Sequence, residues 1–166
     1  MAKQATETEK AVEFSEAGQK ELQALLARYP DKRAALLMVL HLAQREFGWI
    51  SQDVMKYIAE QLELPYGDVY DAVSFYTMFH TRPPGKYHLQ VCHTLSCALR
   101  GAHQICQHIE EKLGIKEGEV TPDGKFSFVK VECLGSCGTA PVVQINEDYH
   151  ENMTVEKLEQ FLKTLK

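Results

Sequence analysis

Hydrophobic positions in the first half of the chain recur at the spacing of α-helices. Leu22, Leu25, Leu26 and Tyr29 fall at i, i+3, i+4 and i+7, which puts them on one helix face. Three further stripes of this kind comprise Leu36, Leu40, Ala43 and Phe47, then Val54, Ile58 and Leu62, then Val69, Ala72, Val73 and Tyr76. Amphipathic helices with short connections are typical of an all-helical bundle, which we predict over residues 15–82.

The pattern changes after residues 80–86, where two prolines and a glycine cannot continue a helix. We therefore place a domain boundary between residues 82 and 83. Beyond it Tyr87, Leu89 and Val91 alternate with polar residues, which is strand spacing. The order of elements in this second half is predicted to be β-α-β-β-β-α, with strands near residues 87–91, 126–131, 142–146 and 149–153.

The connection between the first two predicted strands contains a helix. A strand–helix–strand crossover makes the two strands parallel, whereas the later connections are short enough for hairpins. We therefore predict a small mixed β-sheet flanked by helices, close to a reduced thioredoxin-like layout, over residues 83–166. The chain as a whole is predicted to be an α+β protein, with the helical bundle first.

Residues 1–14 are polar and follow neither pattern, so we predict a flexible N-terminal tail there. The tail contains no apolar segment of the kind found in secretory signals, and it carries Glu7 and Glu9. No apolar run in the chain approaches the roughly 20 residues needed to span a bilayer. We therefore expect a cytoplasmic protein with no direct membrane insertion.

Composition narrows the class of function. Of the 166 residues, 45% are hydrophobic, which is enough to bury a core, and the formal net charge is −5. A chain with this charge and no basic face is not expected to bind nucleic acid. Its five cysteines are an odd number and lie in a chain without a secretion signal, so metal binding or redox chemistry is favoured over structural disulfides.

Four of the cysteines form two close pairs. Cys92 and Cys97 give C-x4-C, Cys133 and Cys137 give C-x3-C, and 35 residues separate the pairs. Each pair follows one of the two strands predicted to be parallel. Because parallel strands end at the same edge of a sheet, where open α/β sheets bind ligands, we expect all four thiols to lie close together.

Four thiolates suit either zinc or an iron–sulfur cluster. Zinc sites commonly use C-x2-C pairs, whereas the wider C-x4-C favours a two-iron cluster in which each pair binds one iron. Glycines at 135 and 138 would let backbone N–H groups approach such a net-negative group. A zinc site, four unrelated core cysteines, and a dithiol redox site that would lack the usual C-x-x-C remain alternatives. Cys106 lies on an apolar helix face and is predicted to be a core residue.

At these residues the chain resembles the 24 kDa-type subunits (called E subunits in bacteria) of respiratory complex I, which are thioredoxin-like [2Fe-2S] ferredoxins. The resemblance rests on the two cysteine pairs, on Ala140-Pro141 and on the aromatic motif of residues 73–79, and it covers about residues 15–166. It implies that one [2Fe-2S] cluster is bound by Cys92, Cys97, Cys133 and Cys137.

The resemblance also implies partners. It implies docking onto a flavoprotein subunit that binds NADH and FMN, and assembly with other peripheral-arm subunits at the cytoplasmic face of the inner membrane. The cluster would exchange single electrons with that FMN. The chain itself has no G-x-G-x-x-G and no glycine-rich phosphate loop, so we expect neither a nucleotide site nor an independent catalytic site in it. A subunit of the NADH-oxidising module of an NAD-linked hydrogenase or formate dehydrogenase is the alternative.

The last predicted helix of the bundle carries a dense group of aromatic residues. These are Tyr66, Tyr70, Phe75, Tyr76 and Phe79. Aromatic side chains dominate protein cores, so packing inside the bundle is one interpretation. A contact with a partner subunit or with the cluster domain is the other.

Overall fold

The computed structural model describes residues 12–165. The chain divides into two compact units, one ending at Pro83 and the other beginning at Pro84. The predicted boundary between residues 82 and 83 lies one residue before this division. Each unit has its own hydrophobic core.

The first unit is helical, as predicted. Its helices are α1 (Glu16–Leu26), α2 (Leu36–Phe47), α3 (Gln52–Leu62) and α4 (Tyr66–Phe75), with a single 3₁₀ turn at Arg33–Ala35 before α2. The helix ends follow from local chemistry. The Ser15 and Ser51 hydroxyls accept hydrogen bonds from backbone N–H groups of the first turns of α1 and α3. Gly48 ends α2 in the left-handed conformation, with φ 80°.

The core of the helical unit contains the inner positions of the predicted stripes. Its fully buried large side chains are Leu22, Leu40, Leu42, Ile50, Ile58 and Leu62. The end of the predicted flexible tail differs from expectation. Phe14 is buried, its ring stacks on Phe47 with centroids 5.4 Å apart, and its N–H donates to the Tyr57 hydroxyl at 3.2 Å. One aromatic residue in a polar stretch gives no periodic pattern, which is why the sequence does not reveal this contact; residues 1–11 lie outside the described residues.

The aromatic group on and after α4 is only partly core. Phe79 is buried and Tyr76 is half-buried, whereas Tyr66, Tyr70 and Phe75 are exposed, Phe75 to 76%. Packing inside the bundle is therefore the wrong interpretation for those three. Tyr70 and Tyr76 line an open cavity of about 510 Å³ in this unit, beside Val73, Phe79 and Arg82. Exposed clusters of large apolar side chains are typical of protein–protein contact surfaces.

The second unit is the predicted mixed sheet with flanking helices. Its elements are β1 (Tyr87–Cys92), α5 (Leu95–Leu99), α6 (Ala102–Leu113), β2 (Phe126–Val131), a 3₁₀ turn (Cys137–Thr139), β3 (Val143–Ile145), β4 (Asp148–His150) and α7 (Val155–Thr164). The strand order is β2-β1-β3-β4. β1 and β2 are parallel, with Leu89 opposite Phe128, and β3 and β4 are added antiparallel.

Two elements differ from the prediction. The short helix α5 was not expected, because five residues are too few to show a helical period. The strand predicted at residues 149–153 ends at His150. Asn152 takes a positive φ of 46°, and its N–H donates to the Thr139 carbonyl at 2.6 Å. The backbone after β4 therefore bonds to the segment that follows Cys137 instead of continuing as a strand.

Gly85, at the start of the second unit, supports a prediction about stability. A Cβ at this position would lie 2.4 Å from the carbonyl carbon of Phe126, which is backbone and cannot rotate away. We expect Gly85→Ala to lower the free energy of unfolding by roughly 1–3 kcal/mol, the usual cost of overpacking. Gly67, in α4, is the matched control because a Cβ added there would have nothing within 4 Å, and alanine favours helix by up to about 1 kcal/mol. Equal urea midpoints for the two variants would contradict this account.

Candidate metal centre

The structure brings the four predicted ligand cysteines to one edge of the sheet. Cys92 is the last residue of β1, and Cys133 follows the end of the parallel strand β2. The Cys133 and Cys137 sulfurs lie 3.4 Å apart. Burial raises the pKa of Cys97, and the nearby Cys92 and Cys137 thiols raise it further, which puts these three thiols close together. Two thiol pairs, one from each loop, thus face each other.

The two pairs differ in exposure. Cys92 and Cys97 are each only 2% exposed, whereas Cys133 and Cys137 are exposed. The buried position of the first pair follows from β1 and from α5, which carries Cys97 toward the core. The second pair lies on a loop at the surface. A group held by all four sulfurs would therefore be anchored in the unit on one side and open to a neighbouring molecule on the other.

Backbone N–H groups surround the sulfurs. The Gly135 N–H donates to the Cys133 sulfur at 3.4 Å, and Gly135 has a φ of 79° that favours glycine. Burial raises the pKa of Cys92 and Cys97, and the backbone N–H groups of Leu134 and Val142 respectively act to lower it. Such donors stabilise negative charge on sulfur. The donor set and the pairwise arrangement of the thiols therefore fit a cluster of two irons and two sulfides held by four thiolates, which has a net charge of about −2.

The close spacing of the thiols affects their pKa values. Burial raises the pKa of Cys92, but hydrogen bonds from the Thr94 hydroxyl and from backbone N–H groups outweigh it and bring that pKa below its usual value. The Gly135 N–H and the neighbouring thiol lower the pKa of Cys133. The partner thiol in each pair has its pKa raised, Cys97 mainly by burial and Cys137 mainly by Cys133. Cys92 and Cys133, the thiols with the lowered pKa, are therefore the first of each pair to ionise.

The loop of Cys133 and Cys137 is held by side chains that sequence reasoning missed. The Tyr149 hydroxyl, on β4, donates to the Leu134 carbonyl at 2.9 Å. The Ser136 hydroxyl donates to the Glu151 carboxylate, and this bond is the first cause of a lowered pKa for Glu151. Neither Tyr149 nor Glu151 belongs to a motif, so only the strand pairing of β3 with β4 reveals that they reach the loop.

Cys106 does not join the other four. It is buried in the core of the second unit, as its position on the apolar face of α6 predicts. Burial raises its pKa to about 11, so its thiol stays protonated at neutral pH. A protonated, buried thiol is a poor metal ligand, because the thiolate is the form that binds metals. Within residues 12–165, no set of three or more His, Cys, Asp or Glu side chains surrounds a single-ion site.

Residues 22–166 match the family model described as thioredoxin-like [2Fe-2S] ferredoxin. The chain belongs to the thioredoxin-like [2Fe-2S] ferredoxin family. This confirms the family resemblance that the cysteine pairs indicated, and it confirms one [2Fe-2S] cluster as the cofactor of the family.

Individual relatives show which members of the family this chain resembles. The chain is 49% identical over 145 residues to the E subunit of NADH-quinone oxidoreductase from Rickettsia bellii, covering 86% of this chain and 87% of the relative. It is 43% identical over 146 residues to the E 2 subunit of the same enzyme from Rhizobium meliloti, covering 88% of this chain and 87% of the relative. The chain is thus a member of the ferredoxin family that groups with the E subunits of NADH-quinone oxidoreductase.

The fold is also found in a solved structure. A chain of an NAD+-reducing [NiFe]-hydrogenase in its H2-reduced state superposes with a TM-score of 0.69 and 22% identity. The match covers 78% of this ferredoxin-family chain and 22% of the hydrogenase chain. At this identity the likeness concerns the fold alone. In the described part of the ferredoxin-family chain, residues 12–165, the helices are too short or too polar for a membrane span.

Proposed function

We propose that this chain is the electron-transfer E subunit of an NADH-quinone oxidoreductase, with one [2Fe-2S] cluster on Cys92, Cys97, Cys133 and Cys137. The observation that carries the proposal is the convergence of two thiol pairs at the carboxyl-terminal edge of β1 and β2, one pair buried and the other exposed. A one-electron carrier needs a firmly held centre that a partner can approach closely, and this arrangement supports both requirements.

When bound, a [2Fe-2S] cluster supplies one-electron chemistry at nearly constant geometry. The chain's own residues hold and shield it. Cys92 and Cys97 connect the site to the core of the second unit, and the Gly135 N–H donates to the Cys133 sulfur. Donors of this kind stabilise the extra negative charge that arrives on reduction. No proton donor or substrate pocket is needed for this function.

The partner we propose is a flavoprotein subunit that binds NADH and FMN, within the peripheral arm at the cytoplasmic face of the membrane. The chain lacks a phosphate-binding loop of its own, so it depends on another subunit to oxidise NADH. Beside the ligand loop, α5 exposes Leu95 and Leu99 to 75% and 79%. Exposed leucines next to a redox site support close docking of a partner there.

The alternative parent enzyme is an NAD-linked hydrogenase or formate dehydrogenase. The hydrogenase chain shares the fold at 22% identity, whereas the E subunits of NADH-quinone oxidoreductase reach 43–49%. We therefore favour the quinone-linked enzyme. Affinity purification of the tagged chain from its own cells should recover a flavoprotein together with quinone-reducing membrane subunits. Recovery with a nickel or molybdenum subunit would instead support the alternative.

The cluster itself is tested by metal analysis of the anaerobically purified chain. We expect a red-brown protein with about two irons and two sulfides per chain, and an EPR signal that forms on one-electron reduction. Colourless protein that contains zinc and gives no EPR signal after reduction would contradict the proposal and support a structural zinc site.

A further inference from the structure

Thr94, between the ligand cysteines of the first loop, has an unusual side-chain position. It precedes α5, where threonine commonly accepts a hydrogen bond from a backbone N–H of the first helical turn. The Thr94 hydroxyl makes no such bond, although Ser15, Ser51 and Thr154 all make it at the starts of their helices. A cap of this kind stabilises the helix start, so the different orientation of Thr94 indicates another partner.

That partner is sulfur. The Thr94 hydroxyl oxygen lies 3.3 Å from the Cys92 sulfur. Thr94 is therefore a half-buried residue whose hydroxyl contacts one of the predicted ligand sulfurs. In the proposed cluster Cys92 would bind one iron, so the Thr94 hydroxyl would contact a ligand of that iron.

We propose that Thr94 is a positioning residue that raises the reduction potential of the cluster by donating its hydroxyl proton to the thiolate of Cys92. This inference rests on the ligand set proposed above. A thiolate has no proton to give, so the hydroxyl is then the donor in this contact. Reduction changes the net charge from about −2 to about −3. A donor at sulfur stabilises the more negative state, and its removal therefore makes reduction harder.

The test compares Thr94→Val with Thr94→Ser in the full chain, purified anaerobically with about two irons. Valine keeps the branched shape of threonine without the hydroxyl, and no helix cap is lost because Thr94 provides none. Midpoint potentials are measured by EPR-monitored redox titration. We expect Thr94→Val to shift the midpoint to a more negative value, equivalent to about a threefold to tenfold fall in the reduced-to-oxidised ratio at a fixed potential. Thr94→Ser should stay at the wild-type midpoint.

Equal midpoints for wild type and Thr94→Val would overturn the inference, and so would an equal shift in the valine and serine variants. If Thr94→Val does not assemble a cluster, Thr94→Ala takes its place. Loss of the cluster in both would show that Thr94 holds the loop together instead of adjusting the potential, which would also overturn the inference. A wild-type chain without iron would contradict the proposed function, a result distinct from any of these.

Discussion

Cys97→Ser is expected to abolish the [2Fe-2S] cluster. The iron content should fall from about two per chain to less than half of that amount, and the EPR signal of the reduced protein should be lost. Cys97 is only 2% exposed, so no other side chain from the surface can replace its sulfur. A serine hydroxyl is less acidic than a cysteine thiol, and its oxygen is a harder ligand than a thiolate sulfur. Iron–sulfur clusters select soft thiolate ligands. Iron and sulfide analysis together with EPR after dithionite reduction measure the effect.

Cys106→Ser is the matched control for this result. Cys106 is also buried in the core of the second unit, so both variants exchange a buried thiol for a hydroxyl at a similar packing cost. Because Cys106 lies away from the four converging thiols, we expect its variant to keep about two irons. Equal iron contents in the two variants, whether both high or both low, would show that Cys97 is not a specific ligand.

The site was predictable because its determinants are local or topological. The spacing within each cysteine pair is read directly from the chain, and a helix between two strands makes those strands parallel. Cys92 and Cys133 then have to emerge at the same edge of the sheet, and the observed parallel register of β1 and β2 places them there. The family resemblance rests in part on the same cysteines, and the family model matches residues 22–166. The ligand role of each cysteine remains a prediction.

The parts that could not be predicted depend on contacts between distant segments. Tyr149 and Glu151 reach the loop of Cys133 and Cys137 only because β4 pairs with β3. Neither residue type is characteristic of a side chain that holds such a loop. Phe14 is buried by α2 and α3, although its surrounding sequence is polar. The sequence predicts no role for Thr94, and only the position of its hydroxyl beside the Cys92 sulfur shows the bond.

The sequence does not determine whether Phe75 is buried, for a related reason. The motif at residues 73–79 is dense in aromatic side chains, and its density cannot distinguish a core from a docking surface. Both environments occur within seven residues, because Val73 and Phe79 are buried and Phe75 is exposed. Burial is decided by which helices pack on α4, and this information is not local to the motif.

Phe128→Ala is expected to lower the free energy of unfolding by about 3–5 kcal/mol, the usual cost of removing a fully buried phenylalanine. Phe128 is fully buried at the centre of β2, directly opposite the equally buried Leu89 of β1. Urea denaturation followed by circular dichroism measures the effect. Phe75→Ala is the control with the same chemical change, and we expect its free energy of unfolding to fall by less than about 1 kcal/mol because its ring is already in solvent.

The Phe128→Ala substitution should also weaken iron retention at the metal centre. Leu89 and Phe128 join the two strands from which the ligand loops extend, so the packing between these strands holds Cys92 and Cys133 in position. A cavity at residue 128 should therefore speed the loss of visible absorbance when the protein is incubated with an iron chelator, whereas Phe75→Ala should lose iron at the wild-type rate. If Phe128→Ala were destabilised but kept its iron as long as wild type, the ligand loops would not depend on the core beneath them.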